Sequence, residues 1–140
     1  MEKFLIRNPG IRLEWGTCTD MAKAYLKTGS TEKALAMLHR TEQLVDAASR
    51  KSAYEALMIL YGEVREREEV FRIWELHKNT DQSNDGYRCV LSSLLTLGDT
   101  AGAEVIYREW ELGCLPFDAR IPNTLVSGYN DMGMERRLRN

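Results

Sequence analysis

Apolar residues recur along this chain at helical spacing and also in columns about 35 residues apart. Steps of 36, 33 and 35 residues connect the members of two such columns, which are Met21, Leu57, Val90 and Leu125, and Tyr25, Tyr61, Leu94 and Tyr129. Within each interval one amphipathic stripe is followed by a polar turn and a second stripe. Repeats of this length are typical of stacked helix pairs, so we predict an all-α, right-handed α-solenoid of helix-turn-helix repeats.

The columns divide the chain into units. Residues 1–14 are predicted to be the end of a preceding repeat or a linker, because Phe4 to Ile6 and the following Asn8-Pro9-Gly10 resemble a helix end and its exit turn. The units that follow are repeat 1 at 15–50, repeat 2 at 51–83, repeat 3 at 84–118 and an incomplete repeat 4 at 119–140. Terminal repeats lack a covering neighbour, so we expect Leu138 to be partly exposed.

A turn residue separates the two helices of each unit. Glycine stands at this position in three units, as Gly29, Gly98 and Gly133, and Arg65 stands there in repeat 2. Because arginine lacks the conformational freedom of glycine, we expect the turn of repeat 2 to be the least regular. Ser30 is expected to cap the second helix of repeat 1, and the second helix of repeat 4 is expected to have barely two turns.

Composition excludes several classes of function. Apolar residues make up 44% of the chain, but no apolar run approaches the length of a membrane span, so no membrane insertion is expected. Three widely spaced cysteines, Cys18, Cys89 and Cys114, indicate a reducing compartment and are predicted to be buried. Neither His39 nor His77 lies at metal-ligand spacing from them, and no phosphate loop or nucleophile-base motif is present. We therefore predict no metal, no cofactor and no enzymatic activity.

Charge predicts weak affinity for a polyanion. Basic and acidic residues number 5 and 4 in repeat 1, 5 and 7 in repeat 2, and 2 and 6 in repeat 3, whereas the four first helices sum to zero. The acidic excess is therefore expected on the outer face, around a neutral groove. Oppositely charged residues four apart are expected to pair along one solvated helix face; these pairs are Glu63/Arg67, Glu68/Arg72 and Glu104/Arg108.

Local motifs point to one family of helical repeats. No first helix contains the Trp-x-x-Leu-Gly-x-x-Tyr run of tetratricopeptide repeats. The segments MAKAYLKTGSTEKAL, GDTAGAEVIYREWE and RIPNTLVSGYNDMGM, with the exit GCLPFD, resemble the pentatricopeptide pattern of tyrosine, asparagine, paired aliphatics, a Lys-x-Gly turn, Glu-x-Ala and a Gly-x-x-Pro-Asp ending. Over residues 15–138 the chain resembles a fragment of a P-type pentatricopeptide repeat (PPR) protein, a group abundant in plant mitochondria and chloroplasts.

This resemblance implies single-stranded organellar RNA as the ligand and a role in RNA processing, stability or translation. It also implies a mitochondrial location, with the chloroplast as the alternative. The first fourteen residues include Glu2 and Glu14 and lack the acid-poor, Ser-rich composition of a transit peptide.

The resemblance further implies one base per repeat, read by the fifth residue of the first helix and the residue before the next repeat. The candidate base readers are Thr19 with Arg50, Glu55 with Ser83, Arg88 with Asp118, and Asn123, whose partner would follow Asn140. Thr19 and Asn123 match the family's residue types, because a short hydroxyl or amide can donate and accept at a base edge.

Glu55 and Arg88 depart from the family pattern. Glu55 would repel phosphate, and its alternative role is to solvate the concave face. Arg88 is open to three interpretations: an ion pair with Asp118 or Asp85, a phosphate contact, or stacking on a base.

The alternative function is a protein-protein interaction scaffold that does not bind RNA. Trp110, flanked by Glu109 and Glu111, could then be an exposed anchor with an acidic rim. The competing interpretation is that Trp110 packs against the next repeat.

Overall fold

The computed structural model describes residues 14–80 and 82–139, with side chains as far as Gly133. These residues form helices and no strand. The helices are α1 (Trp15–Lys27), α2 (Thr31–Leu44), α3 (Arg50–Glu63), α4 (Arg67–Thr80), α5 (Asn84–Thr96), α6 (Thr100–Leu112) and α7 (Arg120–Arg139). Residues 1–13 of the segment 1–14, predicted to be the end of a preceding repeat or a linker, lie outside the described part, as does the side chain of Leu138. None of the described helices combines the length and the apolar character needed to cross a bilayer.

The helices pack as a row of antiparallel pairs. Helices α1 and α2, α3 and α4, and α5 and α6 form the pairs, while consecutive first helices contact each other, α3 on α5 and α5 on α7. The repeated apolar columns supply the interior, because Leu57, Tyr61, Val90 and Leu94 are completely buried. The predicted all-α solenoid is confirmed. In the last unit, Tyr129 of the same column is exposed at the edge of the row.

The turn between the paired helices has the same geometry in all three complete units. Its central residue is left-handed, with φ values of 77° at Gly29, 65° at Arg65 and 76° at Gly98. The backbone N–H of the following residue donates over 2.9 Å to the carbonyl oxygen of the apolar column residue, as from Glu66 to Tyr61. This is the pattern of the Schellman motif. The expected irregularity at Arg65 is therefore wrong.

Arg65 gains a contact that glycine could not make. Its guanidinium donates to the carbonyl oxygens of Thr96 and Leu97 at the C-terminal end of α5, over 3.4 and 3.2 Å. A cation at a helix C-terminus also complements the helix dipole. This link between units offsets the cost of placing a side chain in the left-handed region.

Four local predictions differ from the structure. Ser30 occupies the residue before α2, but its side chain makes no capping hydrogen bond. Cys18 and Cys89 are buried as expected, whereas Cys114 is exposed in the segment between α6 and α7. The turn at Gly133 and the second helix after it are also absent, because α7 continues through this residue. Glycine permits a left-handed turn without imposing one.

Candidate nucleic-acid interface

First helices α5 and α7 enclose an open groove of about 1090 Å³, closed at one side by the turn of repeat 3. Its charged lining consists of Arg65, Arg88, Arg120 and Asp131. Arg120 is paired with Asp85 and Asp118, so the lining keeps Arg65 and Arg88 against the carboxylate of Asp131, a small positive excess on this part of the first-helix face. Summing charge by helix missed this because Arg65 belongs to the preceding turn and reaches the groove only through the stacking of the units.

Asn123 and Arg88 both line this groove from facing helices. Asn123 lies in the first turn of α7 with an exposed side chain, and no described residue hydrogen-bonds its amide group. Arg88 lies on α5, and its buried Nε has no hydrogen-bond partner among the described residues. The two residues therefore place polar side chains on opposite walls of the same groove.

The ion pairs considered for Arg88 do not form within the described part of the chain. Asp118 instead pairs with Arg120 at 2.7 Å, and Asp85 pairs with both Lys51 and Arg120. The Arg120 hydrogen bond holds the pKa of Asp118 below its usual value. The structural ion-pair interpretation of Arg88 is therefore wrong, and its guanidinium remains directed at the groove.

The first candidate pair, Thr19 and Arg50, does not form an accessible base-reading site. Thr19 is buried, and its hydroxyl donates to the carbonyl oxygen of Gly16 over 2.8 Å, a common local bond of threonine in a helix. Arg50 begins α3 and is exposed. Matching residue type at the correct repeat position could not show that the hydroxyl is already satisfied and covered.

The second candidate pair is also occupied by internal contacts. Glu55 Oε2 accepts a hydrogen bond from Lys51 Nζ and lies 3.0 Å from His77 Nε2, leaving the Glu55 side chain only 17% exposed. Its expected role of solvating the concave face is therefore wrong. Ser83 caps α5, where its Oγ accepts from the backbone N–H of Gly86.

His77 is a central residue that sequence reasoning missed. Its ring is completely buried, stacks on Trp74, and contacts Glu55 through Nε2. Since an ionised carboxylate only accepts, this contact places a proton on Nε2. Gly86 packs directly against the ring. A Cβ added at this position would lie 2.4 Å from His77 Cε1, which is too close for a van der Waals contact. Only the helix contact reveals why a glycine stands inside α5.

Ion pairs join three successive first helices. The ion-pair ladder consists of Glu55, Lys51, Asp85, Arg120 and Asp118, in that order across α3, α5 and the start of α7. Hydrogen bonds from Lys51 and then Arg120, opposed by burial, hold the pKa of Asp85 below its usual value. The ladder thus connects the second, third and fourth units through alternating charges.

Other ion pairs also join neighbouring units, although Arg72 pairs with Glu69 on its own helix as well. Arg72 binds Glu42 of the preceding unit through two nitrogens, at 2.7 and 2.8 Å. Arg67 binds Asp99 of the next unit at 2.6 Å. Glu104, expected to pair with a residue four positions later, accepts a hydrogen bond from the Tyr129 hydroxyl. The predicted pairing along one helix face is wrong for these residues.

One described cluster has the composition of a metal site. Single ligand atoms of His39, Glu42 and Glu69 lie within 4.8 Å of one another. The Arg72 guanidinium already binds both carboxylates, and the Tyr61 hydroxyl donates to Glu42. Because a cation already fills the space that a metal would need, this donor set serves as an ion-pair network.

Trp110 is a packing residue of its own unit. It is buried, stacks on Tyr107, and donates from Nε1 to Asn84 Oδ1 over 2.7 Å. Asn84 in turn donates to the carbonyl oxygen of Pro116, so it ties the start of α5 to the exit segment. Trp110 is therefore not an exposed anchor, and its ring contacts with Tyr107 and Phe117 lie within repeat 3.

The chain is similar to curated proteins of Arabidopsis thaliana, although no family model matches it. A pentatricopeptide repeat-containing protein is 54% identical over 142 aligned residues, covering 98% of this chain and 25% of the relative. A mitochondrial pentatricopeptide repeat-containing protein is 49% identical over 138 residues, with coverages of 96% and 28%. The large ribosomal subunit protein mL101 (rPPR4) is 32% identical over 130 residues, with coverages of 91% and 26%. The chain spans about a quarter of these relatives' length.

Proposed function

We propose that this chain, which belongs to the pentatricopeptide repeat family, is a non-catalytic, single-stranded RNA-binding module acting in mitochondrial RNA metabolism. The observation that carries this proposal is the groove between α5 and α7. Two of its arginines, Arg65 and Arg88, form no ion pair with a described residue and can neutralise phosphates, which supply most of the affinity of proteins for nucleic acids.

Asn123 gives the groove a means of distinguishing bases. Its exposed amide can donate and accept at a Watson–Crick edge, and such edges are free only in unpaired strands. Arg88 faces it across the groove, where a guanidinium can bind a phosphate or stack on a base. Of the two residues that match the family pattern, only Asn123 is exposed, so the proposed reading position is in repeat 4.

Several relatives are named mitochondrial, which supports that compartment over the chloroplast. One relative bears the name of a large ribosomal subunit protein.

A second candidate function is a scaffold for a protein partner. Three large apolar side chains are exposed near the end of the described array: Val105 and Leu112 on α6, and Phe117 after it. Exposed apolar groups of this size are typical of contact surfaces when they are contiguous. This surface would be used whether or not the groove binds RNA.

Fluorescence anisotropy with labelled RNA homopolymers at low and moderate salt tests the RNA proposal. Arg88→Ala should weaken binding to every homopolymer and reduce the slope of log affinity against log salt by about 0.7, the value for one phosphate contact on a single strand. Asn123→Ala should instead change the preference among bases, by about 1 kcal/mol for one lost hydrogen bond.

The matched control is Arg108→Ala, because Arg108 is exposed on α6 outside the groove and carries the same charge. Equal effects of Arg88→Ala and Arg108→Ala, with an unchanged base preference in Asn123→Ala, would remove the groove from the RNA site. Absence of salt-sensitive RNA binding in the unaltered chain would favour the protein-scaffold function.

A further inference from the structure

Asp85 occupies the centre of the ion-pair ladder. Its two carboxylate oxygens contact different cations, Lys51 Nζ at 3.2 Å and an Arg120 nitrogen at 3.0 Å. These three side chains are between 39% and 55% exposed, so they are accessible to a ligand. Arg120 also lines the groove between α5 and α7. The ladder therefore borders the surface proposed to bind RNA.

The other two carboxylates of the ladder have different surroundings. Glu55 pairs with Lys51 on its own helix and contacts the buried His77. Asp118 pairs with Arg120 two residues away and accepts from its backbone N–H. Asp85 alone among the three bridges two cations that lie on two other helices. Each of those cations keeps one carboxylate partner when Asp85 is neutralised.

We propose that Asp85 limits the RNA affinity of this chain by holding Lys51 and Arg120 in intramolecular ion pairs. A strand that crosses this surface must displace the carboxylate before its phosphates can use either cation. Exposed ion pairs of this kind are individually weak, so a polyanion can compete with them, but at a cost in affinity. This inference rests on the proposed RNA function and identifies Asp85 as the residue that limits RNA affinity.

The direct test is Asp85→Asn, which keeps the shape of the side chain and removes its charge. The variant should bind RNA homopolymers about three- to tenfold more tightly at low salt, because Lys51 and Arg120 then each have one carboxylate partner instead of two. Its slope of log affinity against log salt should steepen by up to about 1.4, the value for two further phosphate contacts on a single strand. Adding Lys51→Met to this variant should cancel about half of the increase in slope.

Glu111→Gln is the matched control. It changes the net charge by the same amount, but Glu111 is exposed on α6 and forms no ion pair with a described residue. General electrostatics would raise RNA affinity equally in both variants, whereas release of the two cations acts only in Asp85→Asn. Equal gains in affinity and in salt slope would overturn the inference. Asp85→Ser, which also suits the first turn of a helix, provides a second neutral variant if Asp85→Asn melts early.

Binding of inorganic polyphosphate separates this inference from the proposed function. A gain in polyphosphate affinity for Asp85→Asn over Glu111→Gln, while no variant binds RNA, would support the restraint by Asp85 and overturn the RNA function. RNA binding by all variants without a specific gain for Asp85→Asn on either polyanion would retain the function and overturn the restraint. A specific gain on both polyanions is the expected result.

Discussion

Tyr61 links the first two units through both its ring and its hydroxyl. Its side chain is completely buried in the repeated apolar column, and its hydroxyl donates to the carboxylate of Glu42 on α2. The same carboxylate binds two nitrogens of Arg72 on α4. Substitution at Tyr61 therefore tests the apolar column and the polar network separately.

Tyr61→Ala removes the ring and leaves a cavity, at a cost of about 3 to 5 kcal/mol in the free energy of unfolding. Tyr61→Phe retains the ring and loses one hydrogen bond to a charged acceptor, which corresponds to about 1.5 to 3 kcal/mol. Glu42 keeps its Arg72 contacts in both variants. Since whole domains are stable by about 5 to 15 kcal/mol, the alanine variant should lose a large share of its stability.

Urea unfolding followed by circular dichroism at neutral pH measures these differences. Tyr25→Phe is the matched control, because Tyr25 is the half-buried counterpart of Tyr61 in repeat 1, and no described residue hydrogen-bonds its hydroxyl. It should change stability by less than about 0.5 kcal/mol. If Tyr61→Phe costs no more than this control, the hydroxyl contributes nothing. If Tyr61→Ala costs less than about 1 kcal/mol, the column is not the core.

Two further predictions concern acid stability and helix contact. Burial raises the pKa of Glu42, but hydrogen bonds, chiefly from Arg72, outweigh it and bring the pKa below the ordinary 4.5. Glu42 therefore stabilises the fold above pH 4.5 and loses this contribution as the pH falls through its lower folded pKa. Arg72→Met should flatten the decline of the urea midpoint as the pH is lowered below 4.5. Gly86→Ala should destabilise by about 1 to 3 kcal/mol through overlap with His77, whereas Gly16→Ala, with open space around it, should be neutral or stabilising in thermal melts. Equal melting temperatures for these two alanine variants would contradict the packing argument.

The repeat architecture could be predicted from the sequence because helix burial leaves a periodic record. Tyr25, Tyr61 and Leu94 recur at the repeat interval, and each ends its helix with the same turn geometry. The local motifs around them also predicted the family that the relatives support. Arg65, the apparent exception, also occupies the turn position that the repeat interval predicts. The backbone hydrogen bonds of the turn impose the left-handed conformation on the residue at this position.

The functional surface depended on distances between units, which a linear pattern does not record. Thr19 and Asn123 occupy equivalent repeat positions, yet one is covered and the other faces the groove, because their neighbouring helices differ. Likewise, Asp85 could have paired with Arg88 three residues away, but the structure pairs it with Lys51 and Arg120.

The sequence by itself therefore determined the helices of the three complete units, their pairing and the apolar columns of the core. Burial of apolar area is non-directional, so a column of suitable residues suffices to specify it. Only the tertiary structure decided which polar groups are consumed by internal bonds and which remain open to a ligand. Hydrogen bonds and ion pairs form within a few tenths of an ångström of fixed lengths, so their partners are chosen by the stacking of one unit on the next.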